Sequence, residues 1–108
     1  MLKYYILKNR IPVVELDLIK WGQWFEKTER QVKNKVIGDS RISTVFLGLD
    51  HNFNGGEPIL WETMVFGGEL DLEQDRCSGS WEQAEAMHAR MIEKVKECSK
   101  KLPPKIKQ

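Results

Sequence analysis

The sequence predicts an α+β fold: a small antiparallel sheet, made of an N-terminal hairpin and a three-strand meander, with two helices packed on it. Three observations point there. Short apolar runs are bounded by turn residues, two other segments repeat their apolar residues at helical spacing, and glycines stand where strands must reverse.

The hairpin comes first. Apolar runs over residues 4–7 and 11–14 flank Lys8, Asn9 and Arg10, and Pro12, which cannot donate to a ladder, keeps the second run near an edge. Asp17 then suits a helix N-cap, because Leu18, Trp21, Trp24 and Phe25 recur on one face and Lys27 and Arg30 favour the C-terminal end. Runs over residues 32–37, 42–49 and 58–66 form the meander, with Gly38-Asp39-Ser40 as its first turn and Gly67-Gly68 as its stop. Asp75, Arg76 and Cys77 are placed to add an edge strand. Ser80 and Gln83 make a capping box for the second helix, whose apolar stripe is Ala84, His88, Met91, Val95 and Cys98.

With 108 residues, 41% hydrophobic and 31% charged, the chain suits one domain over residues 1–99, followed by a basic, Pro-Pro-containing tail over 100–108 that is expected to be disordered. Seventeen Lys and Arg against sixteen Asp and Glu leave a formal charge of +1, which gives no electrostatic case for nucleic acid or a membrane surface. No stretch reaches the roughly 20 apolar residues of a spanning helix, and no signal-peptide pattern opens the chain, so a cytoplasmic location is expected. Two cysteines make no disulfide framework, and Cys77 and Cys98 read as free thiols.

The segment RISTVFLGLDHNFNGGEPILWETMVFGG concentrates the information. Alternation puts Leu60, Glu62, Met64 and Phe66 on one face of its second arm and Ile59, Trp61, Thr63 and Val65 on the other, so both faces read as apolar. Helices cover one face. The second calls for a homo-oligomer or a binding groove, or else for an edge strand or helix wrapped across it. Glu62, set among apolar neighbours, needs a partner, with Arg76, Arg41 and His88 as candidates; the pair either fixes register or serves a ligand. His88 lies on the apolar stripe and reads as a core or interface histidine ahead of a ligand contact.

Asp50, His51 and Asn52 sit at the glycine-rich turn, where they either cap their own loop or converge on something held there. Asp50, His51, Glu62 and His88 have the composition of a divalent-metal site, yet no compact ligand spacing links them, and no metal or cofactor is expected. No phosphate-binding loop, GxSxG motif or activated cysteine is present, so no catalytic residue is assigned.

The block STVFLGLDHNFNGGEPILWETMVFGG, followed by SWEQAEAMH, resembles a family of small bacteriophage and prophage proteins sharing a VSTVFLGLDHxF…ETMVFGG pattern and a later helix start with a His. The resemblance spans about residues 21–94 and implies a phage or prophage origin, a host bacterial cytoplasm and a similar fold. It assigns no catalytic role. The chain departs from the pattern at Cys77, where an aromatic residue is expected, and at Met87, where glycine is expected.

Three classes of function follow. The first is a non-enzymatic binder of a small polar, nucleotide-like molecule, such as a host defence signal, using Asp50, His51, Asn52, Phe53, Trp61, Glu62, Arg76 and His88. The second is a protein-binding inhibitor or assembly adaptor whose partner is a host protein. The third is a small metal-dependent hydrolase.

Overall fold

The computed structural model describes residues 3 to 101. Its elements run β1 (Tyr5–Lys8), β2 (Ile11–Val14), α1 (Leu18–Lys27), β3 (Gln31–Ile37), β4 (Ser40–Phe46), β5 (Trp61–Phe66), β6 (Gln74–Cys77) and α2 (Trp81–Lys101). The α+β fold is the expected one, with β1 and β2 as a separate two-stranded sheet and β3-β4-β5-β6 as an antiparallel four-stranded sheet in chain order.

Local chemistry explains each boundary. The turn between β1 and β2 places both Asn9 (φ 52°) and Arg10 (φ 67°) in the left-handed region, as a two-residue hairpin turn with the right twist requires. Asp17 caps α1 by accepting from the backbone N–H groups of Ile19 and Lys20 at 2.9 and 3.2 Å. The box at α2 closes reciprocally: Gln83 N–H donates to Ser80 Oγ at 3.2 Å, and Ser80 N–H donates to Gln83 Oε1 at 3.1 Å. Helix α2 runs into the segment expected to be tail, taking in Lys100 and Lys101. The rest of that segment lies outside the described residues.

The core is layered along α2. Phe46, Leu60, Trp61, Ala84 and Met87 join Tyr5 in one cluster, and Ile42, Val65, Met91 and Val95 form another. Between them lies a buried polar layer in which Thr44 Oγ1 meets Thr63 Oγ1 at 2.5 Å and His88 Nδ1 at 2.7 Å. Ala84, His88, Met91 and Val95 of the expected stripe on α2 are buried, with Met87 added to them, and Cys98 is half-buried.

Two expectations change at the ends of β4 and β5. These strands were expected over 42–49 and 58–66, but regular pairing stops at Phe46 and begins at Trp61. Gly48, at φ 75°, turns the chain out of the pleat, and a Cβ there would stand 3.1 Å from the Phe25 ring. Alternation fails with it: Leu60 joins Trp61 in the core and does not share a face with Glu62. The sheet is also less apolar on its second face than read, because Arg41, Ser43, Glu62 and Arg76 interleave with Val45, Met64 and Phe66 there. No helix packs on that second face among the described residues.

Helix α1 belongs to the N-terminal hairpin. None of its residues is fully buried. It is fixed by the Trp21 indole, whose N–H donates to the carbonyls of Tyr5 at 3.0 Å and Gly48 at 2.9 Å, and by Trp24, which meets the Phe46 ring edge-on. The Tyr4–Leu49 bridge and the bond from Tyr5 N–H to the Gly48 carbonyl join this unit to the main sheet.

Candidate functional site

The chain between β4 and β5 makes its own framework. Asp50 Oδ1 accepts from the backbone N–H groups of Asn52 at 2.8 Å and Ile59 at 3.0 Å, closing both ends of the loop. Asn52 Nδ2 donates to the Glu57 carbonyl at 2.8 Å, and its Oδ1 accepts from Asn54 N–H at 3.2 Å. His51 Nδ1 lies 2.8 Å from the Leu49 carbonyl. A carbonyl only accepts, so Nδ1 carries the proton. The self-capping alternative thus describes most of the polar groups of Asp50-His51-Asn52.

Beside this loop lies an open groove of about 590 Å³, bounded by the loop, β6 and the first turns of α2. Asn52, Glu57 and Ile59 come from the loop, Arg76, Cys77 and Ser78 from the edge strand and its exit, and Gln83, Ala86 and Arg90 from α2. Gln83, Ala86 and Arg90 follow one another at i, i+3 and i+7, which puts them on one helix face. Edge strand β6 leaves its outer side open, so the groove forms where the sheet ends and the helix overhangs it.

Two arginines line the groove, one of them already in an ion pair. Arg76 Nε donates to Glu62 Oε2 at 2.7 Å on the sheet face opposite α2, so Glu62 has the partner that its position demanded and Arg76 meets the groove at the rim of β6. Arg90 makes no ion pair with the described residues. Glu57 is held by Ser78 Oγ, which donates to it at 3.0 Å. Burial pushes the Cys77 thiol up, aided by the Asp75 carboxylate and opposed by Arg90, so Cys77 lines the groove as a neutral thiol and not as a nucleophile. The Arg90 guanidinium and the amides of Asn52 and Gln83 can bind and orient a polar anion, while Glu57 and Ser78 set a carboxylate and a hydroxyl in the same groove.

The residues expected in a ligand site divide into three groups. Asn52 and Arg76 line the groove, and Glu62 acts on it through Arg76. His51 and Phe53 lie outside its lining, their rings tilted together with centroids 6.0 Å apart and Phe53 70% exposed. Trp61 and His88 are core residues: Trp61 has no exposed surface, its indole N–H donating to the Gly79 carbonyl, and His88 is 3% exposed. Trp61 therefore offers no wall to a ligand, because it shares with Thr63 and Val65 the face of β5 that α2 covers.

Burial, with the Lys33 charge behind it, pushes His88 below the usual histidine range, so it is neutral in the polar layer. Among the described residues no three His, Cys, Asp or Glu side chains gather to hold a metal ion. Asp50, His51, Glu62 and His88, grouped by composition alone, are bonded to different partners. Arg90, Gln83 and Ser78 escaped the sequence reading. The helical spacing of Gln83 and Arg90, flanking the buried stripe, was the signal that could have found them.

No helix of the described residues is long and apolar enough to cross a membrane. Comparison with protein-family models, curated proteins and solved structures gives no match, so the site is read from its own geometry.

Proposed function

We propose that this chain is a non-enzymatic protein of phage or prophage origin that holds a small polar, nucleotide-like ligand in the groove between the loop, β6 and α2, withdrawing a host defence signal from solution. The observation that carries the reading is that the Arg90 side chain lines one groove together with the amides of Asn52 and Gln83. An anion gains charge-assisted hydrogen bonds from such guanidinium groups, while Asn52 and Gln83 give donors and acceptors suited to a base or ribose. Phe53, exposed at the adjacent loop, supplies an aromatic surface for stacking.

Native mass spectrometry of the protein isolated from phage-challenged cells tests this directly. The expected result is a small-molecule adduct that is lost in Arg90→Gln while the fold is retained. Protein that carries no adduct, and takes up none from a cell-extract metabolite pool, would overturn the reading.

A second reading, a protein-binding inhibitor or adaptor, draws on the uncovered face of the four-stranded sheet. Val36 is 65% exposed there and Phe66 38%, with the Arg41 guanidinium 4.6 Å from the Phe66 ring centre. A homo-oligomer would use the same face, and light scattering of the purified protein distinguishes a monomer from an assembly. The metal-dependent hydrolase has no cluster of ligands among the described residues to support it.

A further inference from the structure

The groove does not end at Ser78. A second hollow of about 390 Å³ shares Glu57 and Ser78 with it and adds Tyr5, Pro12, Pro58 and Leu60 as walls. A third, of about 560 Å³, shares Pro12 and Gly79 with the second and Gln83 with the first, and is closed by the turn residues Asn9 and Arg10. The three hollows adjoin through these shared residues around the start of α2. Cations stand at the two ends: Arg90 at one, and at the other Arg10, whose guanidinium lies 4.5 Å from the centre of the Trp81 ring. The stretch between them is walled by proline, leucine and tyrosine.

We propose that the three hollows form one crevice that binds an elongated molecule with an anionic group at each end and a flat, weakly polar middle, Arg90 holding one end and Arg10 the other. This deepens the ligand-binding reading above and rests on it. Charge complementarity sets the polarity of the ends, because an anion meets guanidinium at both, whereas the Glu57 carboxylate, which accepts from Ser78, disfavours negative charge in the middle. Arg10 is well suited to the far end. Its backbone is fixed by the left-handed hairpin turn and its side chain is stacked on Trp81, so little freedom is lost when it meets a ligand. Glu82 lies in the same hollow and opposes an anion there, so its removal should strengthen binding.

Isothermal titration with three probes tests the bridge: phenyl phosphate, para-phenylene bisphosphate and its longer para-biphenylene homologue. Joining two subsites raises affinity through effective concentration, so at least one bisphosphate should bind roughly ten-fold or more tightly than phenyl phosphate. Arg10→Gln should erase that gain without changing the affinity for phenyl phosphate; Glu82→Gln should increase it. Arg90→Gln should weaken all three. Bisphosphates that bind no better than phenyl phosphate, or an Arg10→Gln protein that binds them like the parent, overturn the bridge and leave the groove reading intact provided Arg90→Gln still weakens phenyl phosphate. If none of the probes binds, both fall.

Discussion

The two helices of this protein are held by different means. Helix α2 buries Ala84, Met87, His88, Met91 and Val95 against the four-stranded sheet, whereas α1 buries no residue completely and leaves Leu18 56% and Ile19 74% exposed. The first is part of the core. The second is attached by one indole hydrogen-bonding to two carbonyls, by ring contacts and by its Asp17 cap. Stability should therefore be graded along the chain, with α1 and the hairpin opening at lower cost than α2 and the sheet. The candidate site spans this gradient, since Arg76 and Arg90 sit on the stable part and Arg10 on the attached one.

The sharpest break in that comparison is made at the sheet. Trp61→Ala removes a fully buried indole from the centre of the first core cluster and should cost about 3–5 kcal/mol in urea unfolding. By contrast, Trp21→Phe keeps most of the ring contacts of α1 and loses one donor shared by two carbonyls, an expected cost of about 1–2 kcal/mol. Equal losses at the two sites would mean that α1 is as integral as α2.

The polar layer gives the next effect, one that depends on pH. His88 is held below the ordinary histidine range by burial and by Lys33, so the unfolded chain binds the proton more readily than the folded one. Stability from this residue is complete above about pH 6.5, the ordinary histidine value, and is lost as the pH falls below it toward the folded-state value. The groups that face it are Thr44, Thr63 and Lys33, the last paired at 3.6 Å with Glu85, so the carboxylate partly offsets the lysine charge. Denaturation midpoints of the parent should fall between about pH 7 and about pH 5, on either side of the ordinary histidine value, and His88→Gln should remove most of the slope. An unchanged slope would place the titration elsewhere.

How legible this was differs by region for a physical reason. The capping box at Ser80, the buried part of the stripe on α2 and the first turn of the meander are set by local chemistry and periodicity, and all three appear as the sequence implied. The partner of Glu62 was legible as a shortlist, since a half-buried carboxylate demands a cation and Arg76 lies opposite it in register. The role of Trp61 was not. Alternation sets it on one face with Thr63 and Val65, but which face α2 covers is decided by long-range packing against Ala84 and Met87, contacts with no pattern in the sequence. The groove was hidden for the same reason: its walls come from three separate segments, and only the fold brings Arg76 and Arg90 together.

A smaller effect separates the two caps. Asp17→Ala and Ser80→Ala each remove a side chain that accepts from helix N-terminal amides, and each should cost about 1 kcal/mol of helix stability. The distribution should differ. Loss at Asp17 falls on the peripheral unit, so amide exchange should quicken within α1 and the hairpin while the global unfolding midpoint hardly moves. Loss at Ser80 falls on α2, which the whole core needs, so the global midpoint should drop. A global shift from Asp17→Ala would show that the two regions unfold together.

The smallest effect is expected at the most exposed apolar side chains. Leu16 is 92% exposed and Ile19 74%, so Leu16→Ser and Ile19→Ser remove little buried area and should stay within about ±0.5 kcal/mol in unfolding. Their interest lies in what else they change. Together with Ile11 and Leu18, also more than half exposed, they make the attached unit the more apolar surface of the molecule, whereas the uncovered sheet face interleaves its apolar residues with Arg41, Glu62 and Arg76. If assembly uses the sheet face, Leu16→Ser and Ile19→Ser leave the sedimentation coefficient unchanged and Phe66→Ser lowers it. The reverse pattern would assign assembly to the hairpin and α1, and would turn the less stable region of the monomer into the region that a partner subunit completes.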